Sequence, residues 1–174
     1  MSESKGEELR RAFENAGLAG DQEADAAEET IQILSFSLAA EWYGFRLRDL
    51  IEIIGGVHPT PIPFTPAFIP GVINHRGSVV SVVDLRNVFG LPGRGSGGAG
   101  RIVLVTSDDA IVGFQADEIS DIVTVPISTV EPPLSTMEKV KASYIEGCIR
   151  LPRGLLVLLD SSTLIGELRM RGEG

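Results

Sequence analysis

The sequence contains few of the residues that build disulfide networks and metal sites. Among its 174 residues there are one cysteine and two histidines. The single cysteine, Cys148, excludes an intrachain disulfide and is typical of a reducing compartment. It lies in the apolar run YIEGCI and is predicted to be a packed core thiol. The histidines, His58 and His75, lack the spacing of metal ligands, so no metal site is predicted.

Long apolar runs are missing as well. Nowhere do about 18 apolar residues follow one another, so no transmembrane helix is predicted. The first residues, MSESK, are not followed by an apolar stretch, and no signal peptide is expected. We therefore expect a cytoplasmic protein without direct membrane insertion.

Basic residues are scarce, and the excess of acidic residues is concentrated at one end. The formal net charge is -9, and residues 1–29 contain nine acidic and three basic side chains. Nucleic-acid binding is excluded as a function class, because a duplex must be met by a basic face. Residues 1–29 are interpreted as an acidic N-terminal tail. A possible short helix over about residues 3–17 is either part of a mobile solubilising segment or a docking element.

The rest of the chain is rich in short strand patterns. Leu34, Phe36 and Leu38 alternate with serines, as in a half-buried strand. Ile31 and Ile33 precede them in the opposite phase, which predicts that the strand starts or bulges near Leu34. Similar segments recur about every ten residues, with Gly and Pro turns between them, and this spacing predicts an all-β barrel architecture.

Two helices are predicted among these strands. One covers about Asp84–Phe89 with Asp84 as its N-cap, and the other covers about Ser161–Met170 with Ser161 or Ser162 as its N-cap. No helix-length pattern alternates regularly with the strands, which argues against a doubly wound parallel sheet.

No arrangement of residues predicts catalysis. The acidic residues Asp117, Glu118 and Asp121 lack the spacing of a calcium loop and are interpreted as a solvated face. Residues 93–98, GRGSGG, match a dinucleotide-binding glycine pattern literally. They follow a helix and precede a strand, the reverse of that motif, and are interpreted as a surface loop. No cofactor and no enzyme activity are predicted. A small ligand-binding or hydrolytic β-barrel is the alternative from a different class.

Residues 63–86, PFTPAFIPGVINHRGSVVSVVDLR, resemble the CheW-like domain family. A Pro-containing turn leads to G-V-x-N-x-R-G, then to an apolar strand, then to D-L-R. Further family features follow in order over residues 30–169, which leaves residues 170–174 as a C-terminal tail. The chain departs from the family pattern at His75, where Leu is common, at Ser81, where Pro is common, and in its acidic tail.

The resemblance implies two small SH3-like five-stranded β-barrel subdomains that share an apolar core, with short helices and a C-terminal helix. It implies a non-catalytic chemosensory adaptor that couples methyl-accepting chemotaxis receptors to the histidine kinase CheA. The expected partners are the regulatory domain of CheA and the cytoplasmic tip of a receptor, in arrays on the inner face of the membrane. Within the same fold, a scaffold of a non-chemotaxis chemosensory pathway is the alternative.

The turn Asn74–Gly77 is the centre of the predicted partner-binding surface. Asn and Gly tolerate the positive backbone angles of a tight hairpin. Arg76 is either merely solvated or a charged fork for carboxylates and carbonyls of a partner. An apolar groove between the subdomains is expected to receive the receptor tip, with Glu52 and Arg76 on its rim. The predicted partner-binding residues are Leu50, Glu52, Asn74, Arg76, Gly77, Val80 and Asp84, and the groove is expected to be formed by Leu50, Ile51, Val79 and Val80.

Overall fold

A computed structural model describes residues 28–93, 100–134 and 142–173. The predicted tail helix and most of the glycine-rich loop lie outside these residues. No helix in the described residues is long and apolar enough to cross a membrane. The strands are β1 Thr30–Leu38, β2 Glu41–Arg46, β3 Leu50–Gly55, β4 Gly71–His75, β5 Ser78–Val83, β6 Arg101–Ser107, β7 Ala110–Ala116, β8 Glu118–Pro126, β9 Ile145–Leu151 and β10 Gly154–Leu159, and the helices are α1 Leu85–Phe89 and α2 Ser161–Glu173.

The strands form two five-stranded sheets, with the orders β8-β1-β2-β10-β9 and β3-β6-β7-β5-β4. The pairs β2–β10 and β5–β7 are parallel, whereas β1–β2, β3–β6, β4–β5, β6–β7 and β9–β10 are antiparallel. Side chains join the two edges of each sheet: Glu52 on β3 bonds to His75 on β4, and Arg153 in the β9–β10 turn bonds to Asp121 on β8. Each sheet therefore curls into a barrel, which confirms the predicted pair of five-stranded subdomains.

The first barrel (β1, β2, β8, β9 and β10) and the second barrel (β3 to β7) share one apolar core. Phe45 on β2 and Phe114 on β7 are fully buried, and their ring centroids are 4.9 Å apart. Phe36 stacks on Phe45 at 5.5 Å. Because these rings join the two sheets, the predicted shared core is confirmed. Each barrel also has a cluster of its own, formed by Ile31, Ile33, Val125, Ile149, Leu156 and Leu158 in the first and by Ile73, Val80, Val82, Ile102 and Leu104 in the second.

Strand β1 is buried on both faces. Leu34, Phe36 and Leu38 face the shared core, and Ile31 and Ile33 belong to the cluster inside the first barrel. The pairing of β1 with β2 runs without a shift from Ile33 to Leu38, so the predicted start or bulge near Leu34 is wrong. The change of phase in the sequence reflects one regular strand whose two faces both meet apolar surroundings.

Both helices begin at an aspartate cap. Asp84 Oδ1 accepts a hydrogen bond at 3.0 Å from a backbone N–H of the first turn of α1, which confirms the predicted cap. In α2 the corresponding acceptor is Asp160 Oδ1, at 3.1 Å, so the predicted cap at Ser161 or Ser162 is wrong. The Ser161 hydroxyl instead donates to Asp49 Oδ2 at 2.8 Å and ties the start of α2 to the segment before β3.

The acidic residue after β7 has a structural role. Asp117 pairs with the buried Arg86, and its Oδ2 accepts the backbone N–H of Ala39 at 2.9 Å. Ala39 and Ala40 form the β1–β2 turn with φ values of 50° and 66°, which alanine rarely adopts. Asp117 therefore fixes a strained turn to α1, and its prediction as part of a solvated face is wrong.

Candidate functional site

The β4–β5 hairpin presents a single arginine to solvent. Its two-residue loop is Arg76-Gly77, with φ values of 51° and 84°, as in the tight turns that suit the twist of paired strands. Asn74 Oδ1 accepts the backbone N–H of Gly77 at 3.0 Å and closes the loop. The predicted turn is therefore present, but the positive angles fall on Arg76 and Gly77 and not on Asn74. The Arg76 side chain is 82% exposed.

Glu52 on β3 lies against this hairpin. Its Oε2 accepts a hydrogen bond at 2.8 Å from Nε2 of His75, and the Arg76 guanidinium lies 3.9 Å from the same oxygen. We call Glu52, His75 and Arg76 the charged triad. Glu52 and Arg76 were predicted separately as rim residues, and the structure brings them together. His75 was not among the predicted site residues, although its polar side chain in an apolar strand was an available signal.

Exposed aliphatic side chains accompany the charged triad. Ile51 and Ile53 flank Glu52 on β3, and Val79 pairs with Asn74 across the β4–β5 hairpin. Their exposed fractions are 40%, 36% and 72%. We call these three residues the aliphatic surface. Strand alternation places Glu52 on the face opposite to Ile53, as predicted, whereas a register shift between Leu50 and Glu52 interrupts the alternation at Ile51. Apolar side chains beside a few charged groups are typical of protein–protein interfaces.

Three other predicted partner-binding residues have structural contacts of their own. Val80 is only 3% exposed, because β5 turns Val79 outward and Val80 into the second barrel, so the expectation of an exposed Val80 is wrong. Leu50 is half-buried and packs against the shared core. Asp84 lies beyond the other end of β5, where it caps α1.

An apolar groove of about 480 Å³ lies between the proline-rich loop before β4, β7 and α2. Its lining includes Phe68, Ile111 and Leu168, and none of the four residues predicted to form a groove lines it. Phe64, also among its lining residues, is fully exposed with a φ of 67°. This feature was missed in the sequence. The available sequence signal was a phenylalanine between two prolines. The prolines restrict the backbone conformations that could turn the ring toward the core.

Few reactive side chains lie close to one another in the described residues. In this part of the chain no three His, Cys, Asp or Glu side chains form a metal-binding group. Burial raises the pKa of Tyr43, Tyr144 and Cys148, and none of these three lines the apolar groove. The charged triad and the aliphatic surface can instead hold a partner through hydrogen bonds and apolar contact.

Known proteins resemble this chain along most of its length. Residues 32–169 match the model of the CheW-like domain. The chemotaxis protein CheW of Klebsiella aerogenes is 30% identical over 83% of this chain and 88% of its own length. The chemotaxis protein CheW of Treponema pallidum is 26% identical over 83% and 87%. The crystal structure of the scaffolding protein TtCheW from Thermoanaerobacter tengcongensis is similar with a TM-score of 0.72 and 29% identity, over 80% of this chain and 90% of that chain.

The matched residues include both barrels and the whole charged triad. Proteins of this family are scaffold and coupling proteins without catalytic activity, so the prediction of a non-enzymatic adaptor is confirmed. The chain belongs to the CheW-like family and is a coupling protein of the chemotaxis type.

Proposed function

We propose that this chain couples the cytoplasmic tip of methyl-accepting chemotaxis receptors to the regulatory domain of the histidine kinase CheA. It acts in signalling arrays in the cytoplasm, on the inner face of the membrane. The family match over both barrels supports this role. The observation that carries it is the exposed guanidinium of Arg76, on a closed turn beside the aliphatic surface.

The Arg76 backbone supports a binding role. A non-glycine residue at positive φ costs about 1–2 kcal/mol relative to the right-handed region. Such strain is concentrated at functional positions, where the surrounding structure holds it in place. Here the Asn74–Gly77 hydrogen bond and the pairing of β4 with β5 hold the turn. The arginine side chain is thereby presented to solvent as a planar fork for carboxylates or carbonyls.

The aliphatic surface supplies apolar contact beside this fork. It has only three side chains, and Ile51 and Ile53 are each less than half exposed, so a single partner is expected to bind weakly, in the micromolar range or thereabouts. Arrays compensate for weak single contacts, because linked partners bind at a high effective concentration. The charged groups then determine which partner binds and in which register, more than how tightly it binds.

Arg76→Ala is expected to weaken binding to the kinase domain, the receptor fragment or both by about 1–3 kcal/mol, the usual range for losing a charged hydrogen bond at an interface. Stability should change little, because the side chain is exposed. Isothermal titration calorimetry with each purified partner measures the effect. Arg150→Ala is the matched control, since its side chain is also 72% exposed and it lies on β9 of the first barrel. Unchanged affinity for both partners in Arg76→Ala would contradict the proposal.

Val79→Asp is expected to reduce partner binding at least tenfold (about 1.4 kcal/mol) while leaving the circular dichroism spectrum unchanged, because the side chain is 72% exposed. The same change one residue later, Val80→Asp, should unfold the second barrel, since it buries an unpaired charge. Met170→Asp on α2, where the side chain is 76% exposed, is the control for a new surface charge. If Val79→Asp binds both partners as well as Met170→Asp does, the aliphatic surface is not the interface.

A further inference from the structure

The proline-rich loop before β4 presents a phenylalanine ring to solvent. Phe64 is fully exposed, and its φ of 67° is a backbone conformation that a bulky residue rarely adopts. The loop around it is fixed. Thr60 and Val72 exchange two backbone hydrogen bonds, at 2.8 and 2.9 Å, and Thr65 Oγ1 lies 3.1 Å from the carbonyl oxygen of Ile69. Strained residues that a fixed loop holds in place are concentrated at functional positions, so the exposed ring indicates a binding contact.

The apolar groove lies beside this ring and has room for another one. Its volume is about 480 Å³, whereas a cavity of about 150 Å³ already accommodates benzene. Phe64 is among the lining residues, but its ring is in solvent and does not fill the groove. Ile62 and Ile111 also line the groove and are 41% and 39% exposed. One face of the molecule therefore carries an apolar projection and an apolar hollow side by side.

The charged side chains beside the groove are of both signs. On the α2 side, Arg169 is exposed and is the one ionisable side chain among the described residues that lines the groove. On the β7 side, Asp108 and Asp109 are exposed in the turn directly before Ala110, which also lines it. None of these three charged side chains has an ion-pair partner among the described residues. The groove is thus flanked by a free positive charge and by free negative charges.

A surface with these features is complementary to itself. In a dimer with two-fold symmetry, each contact between one residue of the first copy and another residue of the second copy occurs twice. The projecting ring of each copy can therefore enter the hollow of the other. The basic side of each groove can likewise meet the acidic turn of the other copy.

We infer that the chain forms a two-fold symmetric dimer in which Phe64 of each copy enters the apolar groove of the other. Arg169 of each copy faces the Asp108–Asp109 turn of the other copy. No residue of the charged triad lines the groove, so the dimer presents two triads to other proteins. Because each copy contributes one groove and one ring, we expect weak association, with a dissociation constant on the order of 10–100 μM.

Analytical ultracentrifugation of the full chain measures this dimer. Over about 1–500 μM, a range that covers weak interfaces, the wild-type protein should change from monomer to dimer as its concentration rises. Phe64→Ala should raise the dissociation constant at least about tenfold, because the ring is the apolar anchor of the interface. The fold should be unaffected, since the side chain is fully exposed. Ile122→Ala is the matched control on β8 of the first barrel, where the side chain is 52% exposed, and it should dimerise like the wild type.

Charge reversal tests the two-fold pairing. Arg169→Glu and Asp109→Lys should each dimerise more weakly than the wild type, because like charges then face each other at both ends of the interface. When these two variants are mixed, both contacts again join opposite charges. The mixed dimer should therefore form about as readily as the wild-type dimer, although each variant alone stays largely monomeric.

Three results would overturn the dimer: a wild-type protein that is monomeric up to about 500 μM, a Phe64→Ala variant that dimerises like the wild type, or a mixture of the charge variants that stays monomeric. A monomeric wild type whose Phe64→Ala variant no longer binds the kinase domain or the receptor fragment would assign the groove to that partner instead. Dimer formation does not depend on the proposed coupling function. Arg76→Ala should keep the dimer, and Phe64→Ala should keep its affinity for the kinase domain and the receptor fragment.

Discussion

Phe114→Ala is expected to lower the free energy of unfolding by about 3–5 kcal/mol, a large share of the stability of a domain of this size. The Phe114 side chain has no exposed surface, and its ring lies 4.9 Å from that of Phe45 across the junction of the two barrels. Removing it leaves a cavity between two curled sheets, which cannot close up without disturbing their strand pairing.

Urea denaturation followed by circular dichroism measures this loss. Phe64→Ala is a matched control, because the same residue type is fully exposed there and its removal should change stability by less than about 0.5 kcal/mol. A loss below about 1 kcal/mol in Phe114→Ala would mean that the barrels do not depend on a common core.

Arg86→Met is expected to destabilise the protein by about 3 kcal/mol, the lower end of the range for removing one partner of a buried ion pair. The Arg86 side chain is 9% exposed and that of Asp117 is 24% exposed, so the Asp117 carboxylate is partly hydrated when Arg86 is replaced. Asp117 also accepts the backbone N–H of Ala39. Loss of the arginine therefore weakens the anchor of the strained β1–β2 turn as well.

The double variant Arg86→Met with Asp117→Asn should recover part of this loss, since the amide has no charge and its oxygen can still accept the Ala39 N–H. Arg150→Met provides the comparison on the surface: its pair with Glu131, at 3.1 Å, joins side chains that are 72% and 44% exposed. Such pairs contribute about 0–1 kcal/mol. Equal melting temperatures for Arg86→Met and Arg150→Met would contradict a structural role for the Arg86–Asp117 pair.

Local patterns predicted most strands but not their arrangement. Hairpins such as β4–β5 carry their own turn residues and were predictable for that reason. Strand β8 has no comparable sequence signal, because it is an edge strand with mostly exposed residues and so has no continuous apolar stripe. Val79 and Val80 were both predicted to line the groove, although only Val79 is exposed, because the sequence Val79-Val80 is apolar in both phases of a strand. Only the pairing of β5 with distant strands decides which of the two valines faces the interior of the barrel.

The charged triad could likewise be predicted only in part, because local sequence does not show which strands meet. Turn chemistry predicted where Arg76 lies, and its exposure follows from the two-residue loop. The contact between Glu52 and His75 was not predictable, since β3 and β4 are opposite edges of one sheet and meet only when that sheet curls. Curling depends on the cluster inside the second barrel, which no segment specifies alone.

The order of strands along the chain also affects synthesis on the ribosome. The second barrel is continuous in sequence, from β3 to β7, whereas the first barrel is split into β1–β2 and β8–β10 on either side of it. Strand β2 pairs with β10, more than a hundred residues later, through contacts such as Trp42 with Leu156. The second barrel can therefore form while β9 and β10 are still being translated. Until they emerge, β1 exposes Ile31 and Ile33, whose cluster is completed by Ile149, Leu156 and Leu158 of β9 and β10, and the unfinished chain is vulnerable to aggregation at this stage.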